Sequence, residues 1–242
     1  MTVEVDLDAA LAAAVGPVLA GNGASLAVAV LDLETGRSAS YGGEGRTYDT
    51  ASVVKLDILA ALLLRAQDED RELTSAERSA AAAMIRRSDN ASATTLWRTI
   101  GGAEGLDAAN ARLGLARTTG ATAWGLTRTT AADRLVLLRA VFGTDSPLAE
   151  DSRTYVIGLM AGVAADQAWG VSAAGADGAV KNGWLPRDAT GLWVVNSVGR
   201  VTAGGRVYLV AVVSDGHATK DAGVTAVERA ARAAVSAVGA AL

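Results

Sequence analysis

Cysteine is absent from the sequence, which removes disulfides, thiolate metal sites and thiol nucleophiles in one step. Histidine occurs once, as His217. A multi-histidine metal centre is thereby excluded, and a Ser-His-Asp arrangement has little to draw on. Any enzyme built from this chain is expected to use a base other than histidine. Lysine is nearly as scarce: of 22 basic residues only three are lysines, Lys55, Lys181 and Lys220, and arginine serves everywhere else. Basic clusters and aromatic–basic interleaving are missing and the formal net charge is −4, so nucleic acid is not an expected partner. No apolar run approaches eighteen residues, so no membrane span is expected. The stretch Ala9–Ala20 is apolar enough for an export signal, but Glu4, Asp6 and Asp8 stand where basic residues belong. The compartment is left undecided.

What is present suits an ordinary globular fold. Half of the 242 residues are hydrophobic and a fifth are charged, enough for one large domain or two closely packed lobes. Leu7, Leu11, Val15 and Val18 form an apolar stripe that predicts an opening helix from about Asp6, ended by a turn at Gly21–Gly23. Ser25–Leu33 reads as a strand, with Glu34-Thr35-Gly36 turning into a second. Helical patterns follow from Ala51 to about Gly170: Ser52–Gln67, a segment opened by a Thr74-x-x-Glu77 capping box, one capped by Asn90, then Ala103–Leu113, Ala131–Phe142 capped by Thr130, and one around Ser152–Ala161. Strands return at Ala179–Trp184, Gly191–Val201 and Gly205–Val213, and a helix from about Ala222 closes the chain. Strands on both sides of a helical block can join one antiparallel sheet covered by the terminal helices. The prediction is an α/β (α+β) fold: a single domain over 1–242, with an α/β lobe from about 1–50 and 175–242 and a helical lobe from about 51–174. A cleft between the lobes is the default place for a site.

Three short segments carry candidate chemistry. Ser52-Val53-Val54-Lys55 puts a hydroxyl and an amine one helical turn apart, within reach of a hydrogen bond, at a helix start whose dipole favours negative charge. A serine becomes nucleophilic when a base takes its proton, and a lysine of lowered pKa can do that where arginine cannot. The same residues also fit a helix cap followed by a solvated lysine. Ser88-Asp89-Asn90 fits a loop between helices with its own cap. Lys181-Asn182-Gly183 fits either a strand or an Asn-Gly hairpin, though Pro186 follows closely.

Taken together and in this order, Ser-x-x-Lys, Ser-Asp-Asn and Lys-x-Gly resemble the signature of class A β-lactamases and penicillin-binding proteins. Two of the three lysines fall at signature positions. The order of elements is similar to that fold as well: a five-stranded antiparallel sheet flanked by terminal helices, with an inserted all-helical lobe. The resemblance implies that Ser52 attacks a carbonyl to form an acyl-enzyme, with Lys55 as base. Ser88 would relay a proton to the leaving nitrogen, and Lys181 would tune Ser88 and attract a substrate carboxylate. Asn90 would bond the substrate amide or hold Lys55, Asp89 would brace its loop, and Asn182, Gly183 and Trp184 would border the substrate. The N–H groups of Ser52 and Trp184 would form the oxyanion hole. The resemblance implies no cofactor and no metal, a small-molecule or peptide-like acyl substrate, a monomer, and an extracytoplasmic setting.

The sequence also departs from that pattern. Class A enzymes carry a glutamate on the Ω-loop between the second and third motifs, which activates the deacylating water. Here no acid or histidine occurs from Ala108 to Ala132, and the segment expected to form that loop, Thr118–Thr129, is short. Asp133, the next acid, fits a helix cap. Asn182 replaces the usual Thr or Ser, and the stretch from Ser52 to Ser88 is short, which predicts a more open cleft. Trp124, Trp169 and Trp184 can line a substrate pocket, though packing is the expected place of the first two; His217 is expected in a turn before the last helix, and Arg86 and Arg87 read as a solvated helix end. The expected function is a serine acyl hydrolase or transferase acting on an amide, lactam or ester, with slow or absent β-lactam turnover. The alternative is a β-lactam-binding sensor or a non-hydrolysing penicillin-binding module.

Overall fold

The computed structural model describes residues 6–18 and 23–240. Helix α1 (Leu7–Val15) is capped by Asp6, whose carboxylate accepts from the Ala9 N–H at 3.0 Å, and it buries Leu11 and Val15. Of the turn predicted to end it, Gly21 and Asn22 lie outside the described residues. Strands β1 (Ser25–Asp32) and β2 (Ser38–Tyr41) form a hairpin whose turn is tied by Asp32, which accepts from the N–H groups of Glu34 and Thr35. After β3 (Tyr48–Asp49) come four helices: α2 (Val54–Asp68), α3 (Ser75–Arg86), α4 (Asn90–Thr99) and α5 (Gly102–Leu113). Strand β4 (Arg128–Thr129) precedes α6 (Ala131–Phe142) and α7 (Glu150–Ala161). The chain ends with β5 (Ala176–Arg187), β6 (Leu192–Ala203), β7 (Arg206–Asp215) and α8 (Lys220–Ala240).

Local chemistry accounts for several of these boundaries. The Thr74–Glu77 capping box makes both of its reciprocal bonds, and Thr130 Oγ1 accepts from the Asp133 N–H at 3.1 Å. One boundary differs from the expectation. Asp89 caps α4, accepting from the Ser92 N–H at 2.7 Å, and Asn90 is the first helical residue. Aspartate at the cap leaves the Asn90 amide free for a different task.

The sheet is antiparallel with strand order β2-β1-β7-β6-β5. Alternation along β1 sends Leu26, Val28 and Val30 toward α1 and α8. Leu31, with Ala179, Val198, Leu209 and Ala211 of the later strands, joins the larger core built on α2 to α7. Lys181-Asn182-Gly183 lies within β5, paired in register with Val198, Ser197 and Asn196, so the hairpin reading is excluded. Pro186 is accommodated because β5 is an edge strand, where a missing N–H costs no ladder bond. A separate two-stranded ribbon pairs β3 with β4 and brings the chain entering Ser52 against the chain leaving the 118–129 loop. No helix among the described residues is long and apolar enough to cross a membrane.

Candidate active site

Ser52 occupies a single turn of tight helix, Ala51–Val53, between β3 and α2. That turn is pinned to its surroundings by backbone groups. The Thr50 N–H donates to Thr127 O at 2.8 Å, and Thr50 O accepts from the Val53 N–H and from Asn196 Nδ2 at 2.9 Å. Asn196, fully buried on β6, also donates to Asp49 O. Ala51 is held at φ +46°, a left-handed conformation that costs an alanine about 1–2 kcal/mol and persists because both neighbours are fixed. Gly183 passes so close that a Cβ there would sit 2.6 Å from Ser52 N and 2.8 Å from Val53 N. Only glycine allows this approach, which sets the residue next to Trp184 directly against the N–H groups of the Ser52 turn.

Lys55 is buried at the start of α2, and its ammonium serves the second motif rather than the first. Nζ donates to Ser88 O at 2.6 Å, Asn90 Oδ1 at 2.7 Å and Ser88 Oγ at 3.1 Å. The hydrogen bond expected between Lys55 and Ser52 Oγ is not among those of the described residues, because three acceptors on the Ser88–Asn90 loop draw the amine away. Ser88 is itself left-handed at φ +56°, and its hydroxyl also receives Lys181 Nζ at 3.0 Å. Lys181 is 1% exposed and donates a second bond to Asn182 O at 2.8 Å. Burial lowers the Lys55 pKa to about 8, with Asp89 opposing the shift. Burial, and then the neighbouring Lys55 charge, hold Lys181 well below the ordinary lysine value. The two amines meet at one hydroxyl, and burial favours the neutral form of each.

Asn182 departs from its expected place beside substrate. Its Nδ2 donates to Gln167 O at 2.8 Å and Trp169 O at 2.9 Å, and its Oδ1 accepts from Ser197 Oγ at 2.6 Å. The side chain is 1% exposed, fully engaged, and serves to fasten the 167–169 segment to the sheet. Trp124 departs in the other direction. It borders a cavity of about 270 Å³ together with Ser52, Asn90, Leu126, Trp184 and Leu185. Trp124 Nε1 donates to Thr94 Oγ1 at 3.2 Å, and Lys55 Nζ lies 4.9 Å from its ring centroid. Its place at the cavity is the less favoured of the two sequence readings of Trp124, and it depends on Thr94 of α4.

Trp184 is braced on two sides, by Trp169 at a centroid distance of 5.9 Å and by Lys220 Nζ 3.9 Å from its ring centroid. The third lysine thus also stands beside the cleft, a placement that the scarcity of lysine could have suggested. Asp133 does not reach the cavity. It is 6% exposed and accepts from the Arg117 N–H at 2.8 Å and Thr118 Oγ1 at 2.7 Å, bracing the root of the loop. His217, between β7 and α8, is buried and bonds Ser214 Oγ at 2.8 Å. Arg86 and Arg87 are exposed.

This fold is widely shared. The TLA-1 extended-spectrum β-lactamase superposes with a TM-score of 0.85 at 17% identity, over 96% of this chain and 99% of that one. A class A β-lactamase from Bacteroides cellulosilyticus gives 0.83 at 16% identity, over 97% and 99%. PBP-A gives 0.81 at 18% identity, over 96% of each chain. At these identities the likeness speaks for the fold. No curated protein sequence matches the chain. The family described as "Beta-lactamase enzyme family" matches residues 76–238, a span that holds Ser88, Asn90, Lys181 and Gly183 and lies C-terminal to Ser52. With most of its length matched and the β-lactamase-like serine hydrolase architecture complete around the cleft, the chain belongs to the Beta-lactamase enzyme family.

Proposed function

We propose that the protein is a serine acyl hydrolase or transferase that forms an acyl-enzyme on Ser52. One observation carries the reading: two buried lysines of lowered pKa donate to the same Ser88 hydroxyl, beside a serine held on a strained, pinned turn. In this reading Lys55, when neutral, takes the Ser52 proton as Oγ attacks the carbonyl. Ser88, receiving both amines, passes a proton to the leaving group. Asn90 positions the Lys55 amine. The N–H groups of Ser52 and Trp184, brought together by Gly183, receive the oxyanion. The substrate is an amide, lactam or ester.

The release step is slow in this reading, because the cavity beside Ser52 has no acid in its lining and Asp133, the first acid after the loop, is committed elsewhere. A positioned base is worth about 10²–10⁴-fold in such a step. The same observation favours a second reading, a sensor that is acylated once by a β-lactam and then signals. Intact-protein mass after incubation with a penicillin panel and a small activated ester separates the two. Turnover of the ester that is lost in Ser52→Ala supports the hydrolase. A stable single adduct from every probe, with no release, supports the sensor. No adduct and no turnover would overturn both.

A further inference from the structure

The wall of the cleft differs chemically from its floor. Where the floor gathers two amines and two hydroxyls, the cavity beside it is bounded by Trp124 and Leu126 from the loop and by Trp184 and Leu185 from β5. Ser52 and Asn90 are the only polar residues in its lining, and none is charged. Leu126 is one of two large hydrophobic side chains exposed among the described residues, and it stands at this cavity. An exposed leucine beside two indoles in a concave site marks a surface that gains by being covered.

Both indoles are held in place. Trp124 is tied through Nε1 to Thr94, and Trp184 rests against Trp169 and beneath Lys220. Fixed aromatic walls lose little freedom when a ligand arrives. The groups that would draw a carboxylate are meanwhile withdrawn. Lys181 is buried with Nζ bonded to Ser88 and Asn182, and the Asn182 amide is engaged with Gln167, Trp169 and Ser197. Lys55, 4.9 Å from the Trp124 ring centroid, is held by Ser88 and Asn90, and Lys220 faces the Trp184 ring.

We infer that the site takes an acyl donor with an uncharged, apolar acyl group, a hydrocarbon chain bound along Trp124, Leu126, Trp184 and Leu185. This rests on the reading of Ser52 as nucleophile and adds the substrate class. In the reaction the Ser52 Oγ–acyl bond forms as the bond from the acyl carbon to the leaving oxygen breaks. The Ser52 proton passes through Lys55 and then Ser88 to that oxygen. Water then splits the acyl-enzyme, releasing the carboxylic acid and restoring the hydroxyl.

The test uses 4-nitrophenyl esters of acetate, butanoate, hexanoate and octanoate, together with esters of matched length that end in a carboxylate. Rates are corrected for hydrolysis in buffer, with Ser52→Ala as the control. The expected result is a rise in kcat/KM of about fourfold for each methylene that enters the cavity, with the carboxylate-ended esters lagging. Leu126→Asp, at an exposed position, is expected to shrink the hexanoate-to-acetate ratio by tenfold or more. A flat or falling series, or a preference for the carboxylate-ended esters, with turnover still dependent on Ser52, overturns the apolar acyl group and leaves the nucleophile standing. Equal rates in wild type and Ser52→Ala overturn the nucleophile, and this inference with it.

Discussion

Three hydrogen bonds hold the Lys55 ammonium, so the proton this residue is proposed to take from Ser52 must go to an amine already oriented by Ser88 and Asn90. Only the neutral amine can act, and burial places its pKa at about 8. The sign follows directly. Acylation rate should climb about tenfold per pH unit below 8, reach half its maximum near 8 and flatten above it. Stopped-flow acylation by an activated ester across pH 6 to 10 reads this, and a rate flat over that range would remove Lys55 as the base. Asn90 Oδ1 accepts from the charged form and favours it, so Asn90→Ala should move the midpoint below 8 rather than above. At this scale the sequence was informative about which residue types to watch and silent about their bonding. Scarcity singled out Lys55 and Lys181. Spacing suggested that Lys55 meets Ser52, whereas the acceptors that hold it lie 33 and 35 positions along the chain, on a loop whose shape rests on a left-handed serine.

Among the elements, β5 and the Ser52 turn approach closely, and the approach is made between backbones. A methyl group at Gly183 would fall 2.6 Å from Ser52 N and 3.1 Å from Thr50 O, which the Val53 N–H and Asn196 Nδ2 hold in place. Gly183→Ala should therefore fold and yet lose about 10²–10³ in acylation rate, the worth of one oxyanion donor. Circular dichroism together with ester burst kinetics checks both halves, and near wild-type bursts would mean that the strand and turn are not aligned for an oxyanion. A second link between elements is the buried pair of Asp57 on α2 and Arg134 on α6, in which the guanidinium also donates to Thr118 Oγ1. Arg134→Met strands a buried carboxylate and should cost about 3–5 kcal/mol in urea unfolding; replacing Asp57 by Leu as well should recover much of that. If the single variant unfolds like wild type, the pair is not holding the two helices together. Element boundaries were legible wherever a cap was chemically local, as at Thr74 and Thr130. They were missed where two neighbours competed for one role: Asp89 took the cap of α4 and Asn90 the lysine. The extent of β5 was missed because Asn-Gly and Pro186 read as strand breakers, and only its place at the sheet edge makes them acceptable.

At the scale of the whole molecule, three segments far apart in sequence meet at one cleft because the sheet is assembled from both ends of the chain around the helical insertion. The order of motifs carried that much of the architecture, since strands on either side of a helical block have few ways to pair. What it could not carry is the fate of the 118–129 loop. Composition says the loop lacks an acid; only the fold shows that its root is anchored by Asp133 and Asp107 while Trp124 and Leu126 turn to the cavity. The loop thus supplies apolar wall and no carboxylate to the cavity, and in the proposed reading release is the half of the reaction that is impaired. In that reading, attack by water on an acyl group bound to Ser52 lacks a base, whereas a nucleophile that needs no base is not held back. Hydroxylamine should therefore hasten release of a preformed penicillin or ester adduct in proportion to its concentration, while the rate of adduct formation stays the same. Mass spectrometry of the adduct over time reads both rates. Release indifferent to hydroxylamine would place the obstacle in access to the acyl carbonyl rather than in activation of the nucleophile.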